Sequence, residues 1–162
     1  MKFLIFTTSL LVWTGLLAGI AVSASTGLVT ATVTTQNLSV RVEDATVAYG
    51  TVAESGTANT EGSDQQSAGN DGNVTEDFDI QGTDSASWTL ENTIGSDNYT
   101  HGGSTTGAAP YDLIQQATTI AMVKSVSAGS TQTFDLQIAT PSTDTTGGVQ
   151  QNVNVTVTAS AT

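Results

Sequence analysis

Apolar and polar residues alternate along most of this chain, and that alternation limits the folds it can adopt. The pattern is clearest near the end, where Val153, Val155 and Val157 fall on one face and Asn154 and Thr156 on the other. Alternation with a period of two is typical of a β-strand that buries one face. The same pattern recurs at residues 38–42, 47–52, 78–80, 88–90 and 134–138.

Sequences rich in Gly, Asn, Asp and Ser separate these segments, as expected for turns between short strands. The sequence therefore predicts an all-β protein, an antiparallel β-sandwich of the Ig-like or jelly-roll kind with about seven to nine strands. We expect residues 25–162 to form a single domain. Residues 111–117, after Pro110, predict one short helical turn. Residues 54–69 and 101–109 hold few apolar anchors, and we expect flexible loops there.

The first 24 residues have the pattern of a secretory signal peptide. Lys2 supplies the positive charge, an apolar stretch follows at residues 10–20, and Val22 and Ala24 occupy positions −3 and −1 of a cut before Ser25. An uncleaved anchor is the alternative, because roughly 20 apolar residues suffice to span a membrane. The sequence predicts a hydrophobic signal helix on an exported, extracellular or cell-surface protein, which contacts the membrane only through that segment if it stays uncleaved.

The charge of the chain is strongly negative. All fifteen acidic residues follow the signal segment, against only Arg41 and Lys124, so two cations and fifteen acids give a charge of −13 there. Such a surface repels nucleic acid, and we exclude that class of partner. The chain has no cysteine, so its stability must come from packing rather than from disulfides.

Few residues are available for catalysis. His101 is the only histidine, so a Ser/His/Asp arrangement could form only around it, and we expect it in a surface loop. Zinc chemistry needs more His or Cys than the chain holds. Asp77 and Asp79 share one face of a predicted strand, where a solvated acidic surface explains them without catalysis. The sequence therefore predicts no enzyme, no catalytic residue and no bound organic cofactor.

A calcium ion is the one cofactor for which the sequence offers ligands. Asp71, Asn73, Glu76 and Asp79 supply hard oxygen atoms around a turn that contains Gly72. Their spacing is not that of an EF-hand loop. A hairpin turn with solvated acids is the alternative interpretation.

The chain also contains a candidate for pairing with another protein. Residues 27–35, from Gly27 to Thr35, form a β-branched run directly after the signal segment. An exposed strand edge is a template for another chain, and a strand lent to a neighbour can hold subunits together. We expect self-association through this run, or contact with other cell-surface proteins. Pairing of the run within its own sandwich is the alternative.

Several segments carry a resemblance to known sequences. Residues 40–50 (VRVEDATVAYG) and 70–82 (NDGNVTEDFDIQG) are followed in order by SWTL at 87–90, TFDLQI at 133–138 and the closing run at 153–159. Together they resemble uncharacterised exported β-sandwich proteins of ultra-small, candidate-phylum bacteria. The Asn-rich turn at 70–73 is also similar to an element of surface-layer and fibre-forming sandwich domains. The resemblance implies a sandwich fold and export, and no functional residue.

These observations favour a non-enzymatic, exported cell-surface β-sandwich with a structural or adhesive role, which assembles by strand exchange. An extracellular calcium- or carbohydrate-binding module is the alternative.

Overall fold

A computed structural model describes residues 27–62 and 64–162. The described chain is all-β, with ten strands in two sheets. The predicted signal segment at 1–24 lies outside the described residues. Within the described ranges, no helix is long and apolar enough to cross a membrane. The strands are β1 (Val40–Val42), β2 (Thr57–Asn59), β3 (Gln66–Asn70), β4 (Glu76–Gly82), β5 (Thr89–Leu90), β6 (Asn98–Ser104), β7 (Asp112–Leu113), β8 (Ile120–Val126), β9 (Thr131–Ala139) and β10 (Val155–Ala161).

The larger sheet is built around β9. Its main order is β1-β3-β9-β6-β5, while β2 also pairs with β9 and β7 with β6. In this register Phe134 lies opposite Gln66, and Ile138 lies opposite His101. The β5–β6 pair is parallel, and the other pairs between these strands are antiparallel.

The smaller sheet has the order β10-β4-β8, and both pairs are antiparallel. Along β4 the alternation seen in the sequence becomes a difference in burial. Phe78 and Ile80 are buried, whereas Asp77 and Asp79 are only half-buried. Phe78 and Ile80 therefore face the core, as expected for a sandwich, and the buried carboxylate of Glu76 shares their face, while Asp77 and Asp79 lie on the other.

The two sheets share a core between their apolar faces, and the β-sandwich prediction is confirmed. Its larger cluster draws on strands of both sheets, and a smaller cluster lies on the larger sheet. The buried apolar residues are Ala68, Phe78, Ile80, Ile114, Val126, Phe134 and Leu136 in the first cluster and Leu90, Tyr99 and Ile138 in the second. The strand count exceeds the expected seven to nine, and it includes β5 and β7, each only two residues long.

The structure differs from the predicted loops. Residues 54–69 contain β2 and most of β3, and residues 101–104 belong to β6. The small number of apolar residues in these two stretches wrongly indicated loops. These strands are held by backbone pairing with β9, which needs no apolar side chain. The helical turn expected at 111–117 is wrong, since this stretch contains β7.

The chain divides into two compact units, residues 1–33 and 34–162. All ten strands belong to the second unit. The described part of the first unit, residues 27–33, contains no strand. Its apolar residues Leu28, Val29 and Val33 are 93%, 88% and 91% exposed. Such exposure is unusual for three apolar side chains so close together.

Candidate functional site

A groove of about 1200 Å³ lies in the unit formed by residues 34–162. Its floor consists of side chains of β9, namely Phe134, Leu136 and Ile138. Residues 45–52 form one wall, and residues 147–157 form the other. The groove therefore lies between the larger sheet and the start of β10.

The first wall follows β1 but joins neither sheet. Val47 and Tyr49 are half-buried and pack against the core. The amide of Ala48 donates to Asp64 Oδ2 at 2.9 Å, and the carbonyl of Thr46 accepts from Gln66 Nε2 at 3.0 Å. Within the described chain, the other amides of residues 46–53 donate no hydrogen bond. This wall thus packs through its side chains while most of its backbone donors are free.

The second wall shows the same alternation of half-buried and exposed residues as β10, and it begins before the residues of β10 that pair with β4. From Gln151 to Val157 every second residue is half-buried and the residues between are exposed, so the chain has the alternation of a strand. Over residues 149–154, however, no backbone amide donates a hydrogen bond within the described ranges. β10 itself pairs with β4 alone, so its other edge is unpaired in the described structure.

The tip of the second wall is fixed by one carboxylate. Asp144 accepts hydrogen bonds from the amide and hydroxyl of Thr146, from the amide of Gly148 at 2.8 Å and from Trp88 Nε1 at 3.2 Å. These bonds, those from Thr146 foremost, stabilise the charged form and lower the pKa of Asp144 to about 2. The wall is therefore held in place at its tip, while the backbone amides of residues 149–154 beyond it donate no hydrogen bond within the described ranges.

His101 lies at the base of this groove, and its predicted place in a surface loop is wrong. It is only 2% exposed, because β6 carries it into the interior. Its Nε2 is 2.7 Å from the hydroxyl of Tyr49, a pair in which the donor depends on the imidazole tautomer. Its Nδ1 has no partner in the described structure, so no Ser/His/Asp arrangement forms around it there. Burial lowers the pKa of His101 to about 4, so the ring is neutral at pH 7.

The rings around His101 form a packed group. The Tyr49 and Tyr99 ring centroids lie 5.8 and 6.3 Å from that of His101, and Trp88 lies 6.2 Å from Tyr99. Tyr99 is fully buried, and its hydroxyl donates to the carbonyl of Thr83 at 2.6 Å. These rings meet edge-on or tilted, an arrangement that aromatic pairs favour in a protein core.

The four residues predicted to hold calcium are only partly brought together. Asp71 forms an ion pair with Arg41 at 3.0 Å, and Glu76 is fully buried. Asp79 is half-buried on the opposite face of β4 from Glu76, so these two carboxylates do not converge. Within the described ranges, no three or more His, Asp or Glu side chains cluster as metal ligands.

Asn73 and Glu76 instead attach the chain before β1 to the turn between β3 and β4. Asn73 Oδ1 accepts from the amide of Asn37 at 2.8 Å, and its Nδ2 donates to the carbonyl of Thr35 at 2.9 Å. Glu76 Oε1 accepts from the amide of Ser39 at 2.9 Å, while its Oε2 has no partner in the described structure. We name residues 35–39 the anchored segment, since these bonds fix its position.

Sequence reasoning overlooked Asn70. This residue is fully buried at the end of β3, and its side chain bonds to three backbone groups of the turn and of β8. The signal that could have found it is its position at the start of an Asn-Asp-Gly-Asn turn, where Asn side chains commonly bond to the backbone two residues on. The bond from the amide of Gly72 to Asn70 Oδ1, at 2.8 Å, has this form.

Gly72 leaves no room for a side chain beneath the anchored segment. A Cβ at this position would collide with Glu76 Oε1 and with the carbonyl of Asn37. We expect Gly72→Ala to lower the free energy of unfolding by about 1–3 kcal/mol, because overpacking forces the backbone to shift. Urea unfolding followed by circular dichroism measures the effect.

Gly103→Ala is the matched control for this substitution. A Cβ at Gly103 would meet Ile114 and Ile80 at 3.8 Å, an ordinary van der Waals distance. Equal losses for the two alanine variants would contradict the steric account of Gly72.

No protein-family model, curated protein or solved structure matches this chain.

Proposed function

We propose that this protein is a non-enzymatic, exported structural or adhesive component of the cell surface, which assembles by β-strand addition. The observation that supports it is the groove, whose apolar floor lies between two walls with unpaired backbone groups. An extended chain in such a site gains hydrogen bonds from its backbone and specificity from alternate side chains. Export is supported by the signal-like sequence of residues 1–24.

The volume and lining of the groove suit a peptide strand better than a small molecule. Its volume of about 1200 Å³ exceeds the roughly 300–1,000 Å³ of typical ligand pockets. Glu54 and Asp144 are the only acidic residues of its lining, and no Lys or Arg lines it. A site of this kind lacks the converging charged groups that orient a substrate, and its lining of apolar and uncharged polar side chains favours a neutral strand.

Self-association of the exported chain tests the proposal. We expect its mass, measured by light scattering after gel filtration, to rise with protein concentration, both in millimolar calcium and in chelator. The substitution Val149→Lys places a charge in the groove wall at a residue that is 61% exposed, so the fold should tolerate it. We expect this variant to associate at least about tenfold more weakly, equivalent to 1.4 kcal/mol or more.

Ile94→Lys is the matched control, because Ile94 is also exposed but does not line the groove. It should associate as the unsubstituted chain does. A chain that stays monomeric at all concentrations, or equal effects of the two lysine substitutions, would overturn the proposal.

A further inference from the structure

We infer that the groove binds residues 27–35 of a second copy of this chain. The inference rests on the proposed function and specifies which strand is added and where. We name residues 27–35 the donor segment and the copy that offers the groove the acceptor.

The donor segment has the chemistry that the groove requires. Its residues Val29, Ala31 and Val33 fall on one face of an extended chain, and threonines occupy the positions between them. Leu28, Val29 and Val33 are almost fully exposed, although each would be more stable out of water. Residues 27–33 therefore have the sequence of an apolar strand but pair with no strand in the described structure. The groove, lined by residues between 42 and 157, has room for an added strand.

The lengths agree as well. The anchored segment fixes the chain from Thr35 onward, so residues 28–34 remain free to extend toward another molecule. Seven extended residues span roughly 23 Å at about 3.3 Å each. Residues 149–155 of the second wall also number seven, so this stretch of the wall matches residues 28–34 in length.

Charge also favours this pair of surfaces. The chain carries a net charge of −12, so two copies repel each other over most of their surface. No residue from 27 to 40 is charged, and the groove contributes only Glu54 and Asp144. The donor segment and the groove are thus places where two copies can meet without pairing like charges.

The contact joins different surfaces on the two copies. Each copy offers one donor segment and one groove, so repeated binding builds an open chain of subunits unless a rotation closes it into a ring. This contrasts with a symmetric dimer, in which both copies would use the same patch.

Disulfide trapping tests the inference without background, because the chain has no cysteine. One copy carries Val33→Cys in the donor segment, and a second, differently tagged copy carries Val153→Cys in the groove wall. We expect the oxidised mixture to hold at least about tenfold more disulfide-linked heterodimer than a mixture with Ile94→Cys, since a disulfide needs Cα atoms within about 7 Å. Val29→Cys and Val47→Cys extend the test to other registers.

The outcomes separate this inference from the proposed function. If the chain associates but no donor cysteine links to a groove cysteine, the groove has another occupant and only the inference fails. If the chain does not associate at all, both fail. If a chain with Val33→Cys and Val153→Cys forms its disulfide within one copy, the segment fills its own groove and the second copy is the wrong occupant.

Discussion

Asn70→Ala is expected to lower the free energy of unfolding by about 3–5 kcal/mol, a large part of the stability of a domain of this size. The Asn70 amide donates to the carbonyls of Val74 at 2.8 Å and Val126 at 2.9 Å, and its oxygen accepts from the amide of Gly72 at 2.8 Å. Alanine would remove the partner of one buried group, the carbonyl of Val126, and of two part-buried groups, and an unpaired buried group costs about 1–3 kcal/mol. Val126 lies on β8, so Asn70 joins one sheet to the other.

Asn73→Ala is the matched control, because the same residue type in the same turn also makes two bonds to the backbone. Asn73 is exposed, so water can replace its bonds, and we expect a loss of about 0.5–1.5 kcal/mol. Urea unfolding of both variants, followed by circular dichroism, gives the comparison. Similar losses for the two would show that burial of the Asn70 network is not what stabilises the turn.

The fold was predictable where side chains alternate. β4 and β10 each present apolar residues to the core and polar residues outward, and their sequences show it directly. β3, with the sequence QSAGN, was not predictable in this way. Its residues are buried because the strand pairs with both β1 and β9, and pairing between distant segments leaves no mark in a local pattern.

Asp135 shows a limit of the alternation rule itself. Its position in β9 predicts a solvated side chain, yet the residue is fully buried. Thr60 donates to its Oδ1 at 3.1 Å and Gln65 to its Oδ2 at 2.7 Å, which supplies partners for a carboxylate that would otherwise be costly to bury. These partners lie some seventy residues away along the chain.

The candidate site was only half predictable. The β-branched run proposed as the donor segment is visible in the sequence because it lies within one continuous stretch. The groove depends on backbone amides that do not pair, namely most of those of residues 46–53 and those of 149–154, and on a floor supplied by β9. Local sequence pattern describes which residues favour a strand, but it does not indicate which edge of a sheet stays open.

Acidification is expected to destabilise the fold through His101, by about 3 kcal/mol between about pH 7.5 and pH 4. Burial lowers the pKa of His101 from 6.5 to about 4 in the folded chain. Between these values the unfolded state takes up a proton that the folded state does not, so stability falls as the pH falls. This contribution is complete above about pH 6.5 and is lost progressively down to about pH 4.

Two measurements isolate this histidine from the carboxylates. His101 is the only histidine, so one imidazole resonance reports its folded pKa by nuclear magnetic resonance, and a value near 6.5 would contradict the burial argument. Urea unfolding of His101→Gln should show a smaller loss of stability between about pH 7.5 and pH 5, since that side chain does not titrate. The pKa of Asp144 is about 2 when folded, so its effect falls in a more acidic range.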